Sequence, residues 1–277
     1  MAKTTSWLGT TNTSWNTAGN WSNGIPVSTD TAIIAKGATR ALATDLNRTA
    51  DDATGLDLAL LIVENGHKYP VGTSGERLAF AGTKVIIDAG VDVWLNSDNA
   101  AHNNGIARII TRNPSAFVDL VNTGEAGPSW ENSAGEWNVT WELDTFFLPA
   151  IYMIPEYGAA SFTLTNNAVG ATGGGEIHQF GGEFTFYNTG DDTIELILSG
   201  GTFNFMSGRV STMRQSGGTF FFDATTGSLL GTARLMGGLF DTTRTAGTKT
   251  ATSIWRSHFV EFVTNKDFFT TDNVLGE

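Results

Sequence analysis

The chain has 277 residues, a formal net charge of −12, only 16% charged residues, 33 glycines and no cysteine. Without cysteine there is no disulfide framework, thiolate metal site or cysteine nucleophile, and at 40% hydrophobic the chain is too apolar to be disordered. No apolar run is long enough for a membrane helix, and an acidic chain whose Arg209, Arg214, Arg234 and Arg244 are spread singly offers no patch for nucleic acid.

Residues 1–35 form an expected N-terminal arm or cap. Trp7, Trp15 and Trp21 punctuate a stretch of Thr, Asn, Gly and Ser that ends in the apolar Ala32-Ile33-Ile34-Ala35. Indole rings of this size are expected to cover apolar surface. Residues 36–121 carry short β-branched and aromatic runs, such as Leu58 to Val63, Val85-Ile86-Ile87 and Phe117 to Val121. Gly, Asn and Asp separate them, so they read as strands. Residues 122–160 break this pattern with Gly124, Gly127, Pro128, Gly135, Pro149 and Pro155, and we expect an insertion or loop there. It holds a second tryptophan group, Trp130, Trp137 and Trp141, flanked by Glu131 and Glu142.

The clearest signal lies in 161–250. Gly181-Gly182-Glu183-Phe184, Gly200-Gly201-Thr202-Phe203, Gly217-Gly218-Thr219-Phe220 and Gly237-Gly238-Leu239-Phe240 align. Their phenylalanines are 19, 17 and 20 residues apart, and Phe162 is a degenerate member 22 residues before Phe184. One β-run per repeat with paired glycines predicts stacked rungs. The phenylalanines then lie above one another in the core, and the glycines make the corners. The fold class is therefore all-β: a parallel β-helix, or β-solenoid, with an irregular Trp-rich N-terminal segment. Residues 251–277 are expected to be C-terminal strands or a cap.

Chemistry-bearing patterns are sparse. His67, His102, His178 and His258 are far apart, without the spacing of a zinc site. There is no GxSxG elbow and no P-loop, and Gly173-Gly174-Gly175 reads as a solenoid corner. The acid pairs Asp51-Asp52 and Asp191-Asp192 are adjacent, and neighbours on a strand point to opposite faces. The reading is a protein that is not an enzyme, with no cofactor and no metal. Trp130, Trp137 and Trp141 fit an interface or packing role, with sugar stacking as the alternative. Trp7, Trp15 and Trp21 fit either a coat-contacting arm or an internal cap.

The string Trp7…Trp15…Asn20-Trp21…Pro26…Asp30 followed by Ile33-Ile34 resembles the start of β-solenoid proteins of tailed bacteriophages and of some bacterial surface proteins. Leu60-Leu61-Ile62-Val63 and Leu78-Ala79-Phe80 are similar to their early rungs. The resemblance implies a virion protein of the capsid decoration, or cement, type. Its implied partner is the major capsid protein, its implied state a homotrimer, and its implied place the capsid surface after synthesis in the host cytoplasm. Neither nucleic acid nor membrane is an expected partner. The alternative is a tail spike or fibre that binds or degrades host surface polysaccharide.

Overall fold

A computed structural model describes residues 1–46, 57–79, 81–82, 84–96, 108–122, 129–141, 150–167, 175–188, 193–224, 228–246, 248–264, 269–271 and 274–275. The chain is all-β, a solenoid built from two parallel sheets. Among the described residues the one helical segment is a 3-10 turn, Ala18–Asn20. Contacts divide the chain into two compact units: Met1–Val139 with Glu156–Ala159, and Thr140–Pro155 with Ala160–Glu277.

In the first unit, Thr4–Trp7, Thr31–Ile34, Leu60–Val63, Val85–Ile87, Arg108–Thr111 and Ser129–Asn132 follow one another in parallel in one sheet. Leu78–Ala79, Asp92–Asn96, Phe117–Asn122 and Gly135–Trp141 form the other. Inward and outward residues alternate, as Thr31–Ile34 and Leu60–Val63 show, because successive side chains leave a strand on opposite faces. Trp7, Ile34, Val63 and Ile87 thereby share one buried column.

Two expectations are refined here. The expected arm or cap over 1–35 is not separate from the sheet: Thr4–Trp7 is itself a sheet strand, paired with Thr31–Ile34. Nor are residues 122–160 simply an insertion. Ser129–Asn132 pairs with Arg108–Thr111, and Ala150–Met153 pairs with Gly175–Gln179 in the second unit. Gly135 opens a strand and Pro155 follows one, while Gly124, Gly127, Pro128 and Pro149 lie outside the described residues. The tryptophans follow the pleat, with Trp130, Trp137 and Val139 inward and Glu136 outward.

In the second unit, one sheet holds Ala150–Met153, Gly175–Gln179, Thr193–Leu198, Arg209–Gln215, Leu229–Leu235, Lys249–Arg256 and Phe269–Thr271. The other holds Ala160–Asn166, Glu183–Asn188, Thr202–Phe205, Thr219–Phe222, Gly238–Asp241 and Val260–Val263. Phe162, Phe184, Phe203, Phe220, Phe240 and Phe262 occupy one register position. Consecutive rings lie 4.9 to 5.7 Å apart and within 12° of parallel. The degenerate Phe162 rung is thus real. Phe262 adds a further rung, in a segment expected only as a final strand pair or cap. Its strand begins with Val260 where the preceding one begins with Gly238, so the paired-glycine pattern does not extend to it. A second row, Phe186, Phe205 and Phe222, packs alongside.

Candidate functional site

The first tryptophan group lies in the interior. Trp7 and Trp15 are 0% exposed and Trp21 is 4% exposed. Trp21 stands edge-on to both, with ring centroids at 5.3 and 4.8 Å. Its Nε1 donates to the Trp15 carbonyl at 2.8 Å, and Trp7 Nε1 donates to the Arg40 carbonyl at 3.2 Å. The polar members of the motif hold this cluster. Buried Asn20 accepts from the Thr11 and Asn12 amides and donates to the Ser14 carbonyl. Buried Asp30 accepts from the Lys3 and Val27 amides. The W–NW–P–D string therefore builds an internal cap in which Asn20 and Asp30 are hydrogen-bonded and buried Trp15 Nε1 has no hydrogen-bond partner among the described residues. Its indoles present no open surface to a partner.

The second group is also interior where it is described. Trp130 and Trp137 are 0% exposed, and Trp137 Nε1 donates to Thr111 Oγ1 at 2.7 Å. Glu131, which flanks the group, accepts from Arg108 Nη2 at 2.5 Å and from Ser133 Oγ at 3.0 Å. The Trp141 side chain, Glu142, Asp51-Asp52, Asp191-Asp192, His102 and Gly173-Gly174 lie outside the described residues. Buried His67 sets Nδ1 2.9 Å from the Ala35 carbonyl, and its pKa is lowered by burial.

Three polar devices escape a reading of the sequence. Gln179 and Gln215 are buried at strand ends and clip the glycine corners. Gln179 Nε2 donates to the Gly182 carbonyl at 3.1 Å and to the Thr202 carbonyl of the next rung at 2.9 Å. Gln215 Nε2 does the same to Gly218 and Leu239, at 3.1 and 2.9 Å. The second device is an arginine clamp on an outer sheet face, one in each unit. Arg77 lies over the Trp94 ring at 5.2 Å, ion-pairs with the Asp119 carboxylate and donates to the Asp119 carbonyl at 3.1 Å. It also walls a cleft of about 220 Å³ with Ser74, Glu76 and Asn96. Arg244 lies over Phe221 at 3.9 Å, pairs with Asp223 at 3.4 Å and donates to Asn204 at 3.1 Å. Guanidinium groups suit such stacked, multiply bonded sites.

The third device is Lys249, buried in the second unit, whose Nζ donates to the Thr245 carbonyl at 2.6 Å. Burial lowers its pKa from 10.5, against the pull of Asp223 and Asp241. Burial likewise raises the pKa of Asp223 above 3.8, against the pull of Arg244 and Lys249. For Lys249 the unfolded chain holds the proton more tightly than the folded one. Its contribution to stability therefore rises with pH, from the lowered folded value up to 10.5. Lys249→Met removes the buried amine, so the variant should lose this alkaline rise. Urea midpoints of both proteins between pH 7 and 11 check it, and equal slopes would refute it.

One corner of the second unit carries exposed apolar side chains. Phe180 follows Gly175–Gln179, Met236 follows Leu229–Leu235, and Phe259 precedes Val260–Val263. All three sit where the chain turns from one sheet to the other, and they are 51%, 47% and 73% exposed. Between Phe180 and Met236 the equivalent positions are Ser199 and Ser216, whose hydroxyls bond at 3.2 Å. Each is followed by a glycine pair. The edge is a low Ser-Gly-Gly floor with large apolar residues at its ends. Comparison with family models, with curated proteins and with solved structures gives no match.

Proposed function

We propose that this chain is a non-catalytic structural protein of a phage virion, which decorates the capsid by binding the major capsid protein. The observation that supports the reading best is the corner edge, where Phe180, Met236 and Phe259 are exposed on turns between the two sheets. Large apolar side chains grouped on a surface mark protein contacts. The stacked phenylalanine core gives that edge a rigid backing, which keeps the ordering cost of docking low. Binding at many equivalent lattice sites then stabilises the assembled shell by mass action.

The test compares capsids with and without the protein. Capsids lacking it should lose resistance to heat, and added protein should restore it and co-sediment with them. The triple variant Phe180→Ser, Met236→Ser, Phe259→Ser should keep the wild-type circular dichroism and bind capsids at least about tenfold more weakly. Unchanged capsid stability, or wild-type protein found on the tail instead, overturns the reading.

A further inference from the structure

The outer face of the first sheet in the second unit carries an ordered row of side chains. Tyr152, His178, Ile197, Arg214, Arg234 and Trp255 fall at one register position on six successive strands. Glu176, Glu195, Thr212, Thr232 and Ser253 fall at the next outward position. From strand to strand the face therefore reads aromatic, acid, acid, base, base, aromatic. The arginines are spread singly in the sequence, yet the fold sets Arg214 beside Arg234.

The arrangement places like charges together. Glu176 pairs in register with Glu195, and Arg214 with Arg234, and like charges directly opposite on neighbouring strands destabilise a sheet. Glu195, Arg214 and Arg234 are exposed and have no ion-pair partner among the described residues. Trp255 is 38% exposed, and beyond it the row continues in register to Leu275. Glu176 has the His178 imidazole beside it at 3.0 Å, but for Glu195, Arg214 and Arg234 charge complementarity has to come from outside this copy of the chain, and the order of the row says from where. Read backwards from Trp255 to Tyr152, these six strands present a base wherever they present an acid read forwards, with an aromatic on the first and the last of the six.

We propose that this face binds the same face of a second copy of this chain, antiparallel, about a two-fold axis. The axis lies in the face, parallel to the strands, midway between Thr193–Leu198 and Arg209–Gln215. It lays Thr193–Leu198 over Arg209–Gln215 of the second copy, Gly175–Gln179 over Leu229–Leu235, and Ala150–Met153 over Lys249–Arg256. Glu195 then meets Arg214 of the second copy, Glu176 meets Arg234, and Tyr152 meets Trp255, each twice over. The acids and bases are offset by two residues along the strand, about 6.6 Å, which an arginine side chain spans. Such an isologous contact closes on itself and stops at the dimer. It departs from the three-fold assembly that the phage resemblance implies, and it does not rest on the capsid reading.

Sedimentation velocity of the full chain tests it. Wild type should be a dimer whose dissociation constant rises with salt. Glu195→Arg and Arg214→Glu, each alone, set like charges against each other across the axis and should raise that constant at least tenfold. An equimolar mixture of the two variants should dimerise again, because in the mixed pair both contacts are Arg against Glu. That recovery cannot come from misfolded protein. A monomeric or trimeric wild type, single variants with the wild-type constant, or a mixture that stays dissociated would each overturn the proposal.

Discussion

Gly218→Ala should destabilise the protein by about 3–4 kcal/mol. Gly218 has φ +71°, where an alanine is strained by about 1–2 kcal/mol. A Cβ there would stand 2.7 Å from the Gly201 carbonyl oxygen and 3.0 Å from the Gly200 Cα. Neither atom can move freely. The Gly201 carbonyl accepts the Thr219 amide at 2.8 Å, and the Gly218 carbonyl is itself held by Gln215. Displacing that ladder bond adds about 1 kcal/mol, and the remaining overlap supplies the rest. In a chain of this size the loss lowers the melting temperature by roughly 10 °C. Gly37→Ala is the control, since its Cβ meets nothing within 4 Å. Calorimetry of the two variants checks the prediction, and a Gly218→Ala protein melting with wild type would refute it.

The second large effect belongs to the phenylalanine stack. Phe203 is 0% exposed and lies between Phe184 at 5.2 Å and Phe220 at 5.7 Å. Phe203→Ala should cost about 3–5 kcal/mol, through lost transfer energy and the cavity left between two rings that the rung spacing holds apart. Phe262→Ala should cost less, because Phe262 is half-buried and stacks on Phe240 at the end of the row. Denaturant midpoints of the two variants give the gradient along the solenoid. Equal losses would show that the rungs do not share one continuous core.

Much of this core is legible in the amino-acid sequence. The Gly-Gly-x-Phe repeat predicts stacked rungs because one phenylalanine per coil, inward on a pleated strand, can only meet its equivalent on the next coil. The corners follow because the second glycine of each pair needs positive φ, as Gly201 and Gly218 show. The tryptophan strings were legible as aromatic clusters, but whether they face inward or outward was not. Asn20 and Asp30 decide it, through hydrogen bonds to residues 3 to 27 positions away. The sequence places Trp130 and Trp137 in an apparent insertion because prolines and glycines mark corners and chain breaks equally well.

The amino-acid sequence by itself determined the β class, the coil period and the inward phenylalanine column. Those features are local: strand alternation and glycine corners depend only on neighbours in the chain. Only the tertiary structure decided which outward residues share a column. The coils differ in length, and a register shift between Ile194 and Glu195 sets Glu195 opposite Thr212 rather than Ser211. That shift brings Arg214 to Ile197 and, on the next strand, Arg234 to Arg214. The same holds for Gln179, Gln215, Arg77 and Arg244, polar residues without a sequence signature whose partners lie on other coils. A hydrogen bond or ion pair between coils depends on which atoms the stacking brings within about 3 Å, and spacing along the chain does not fix that.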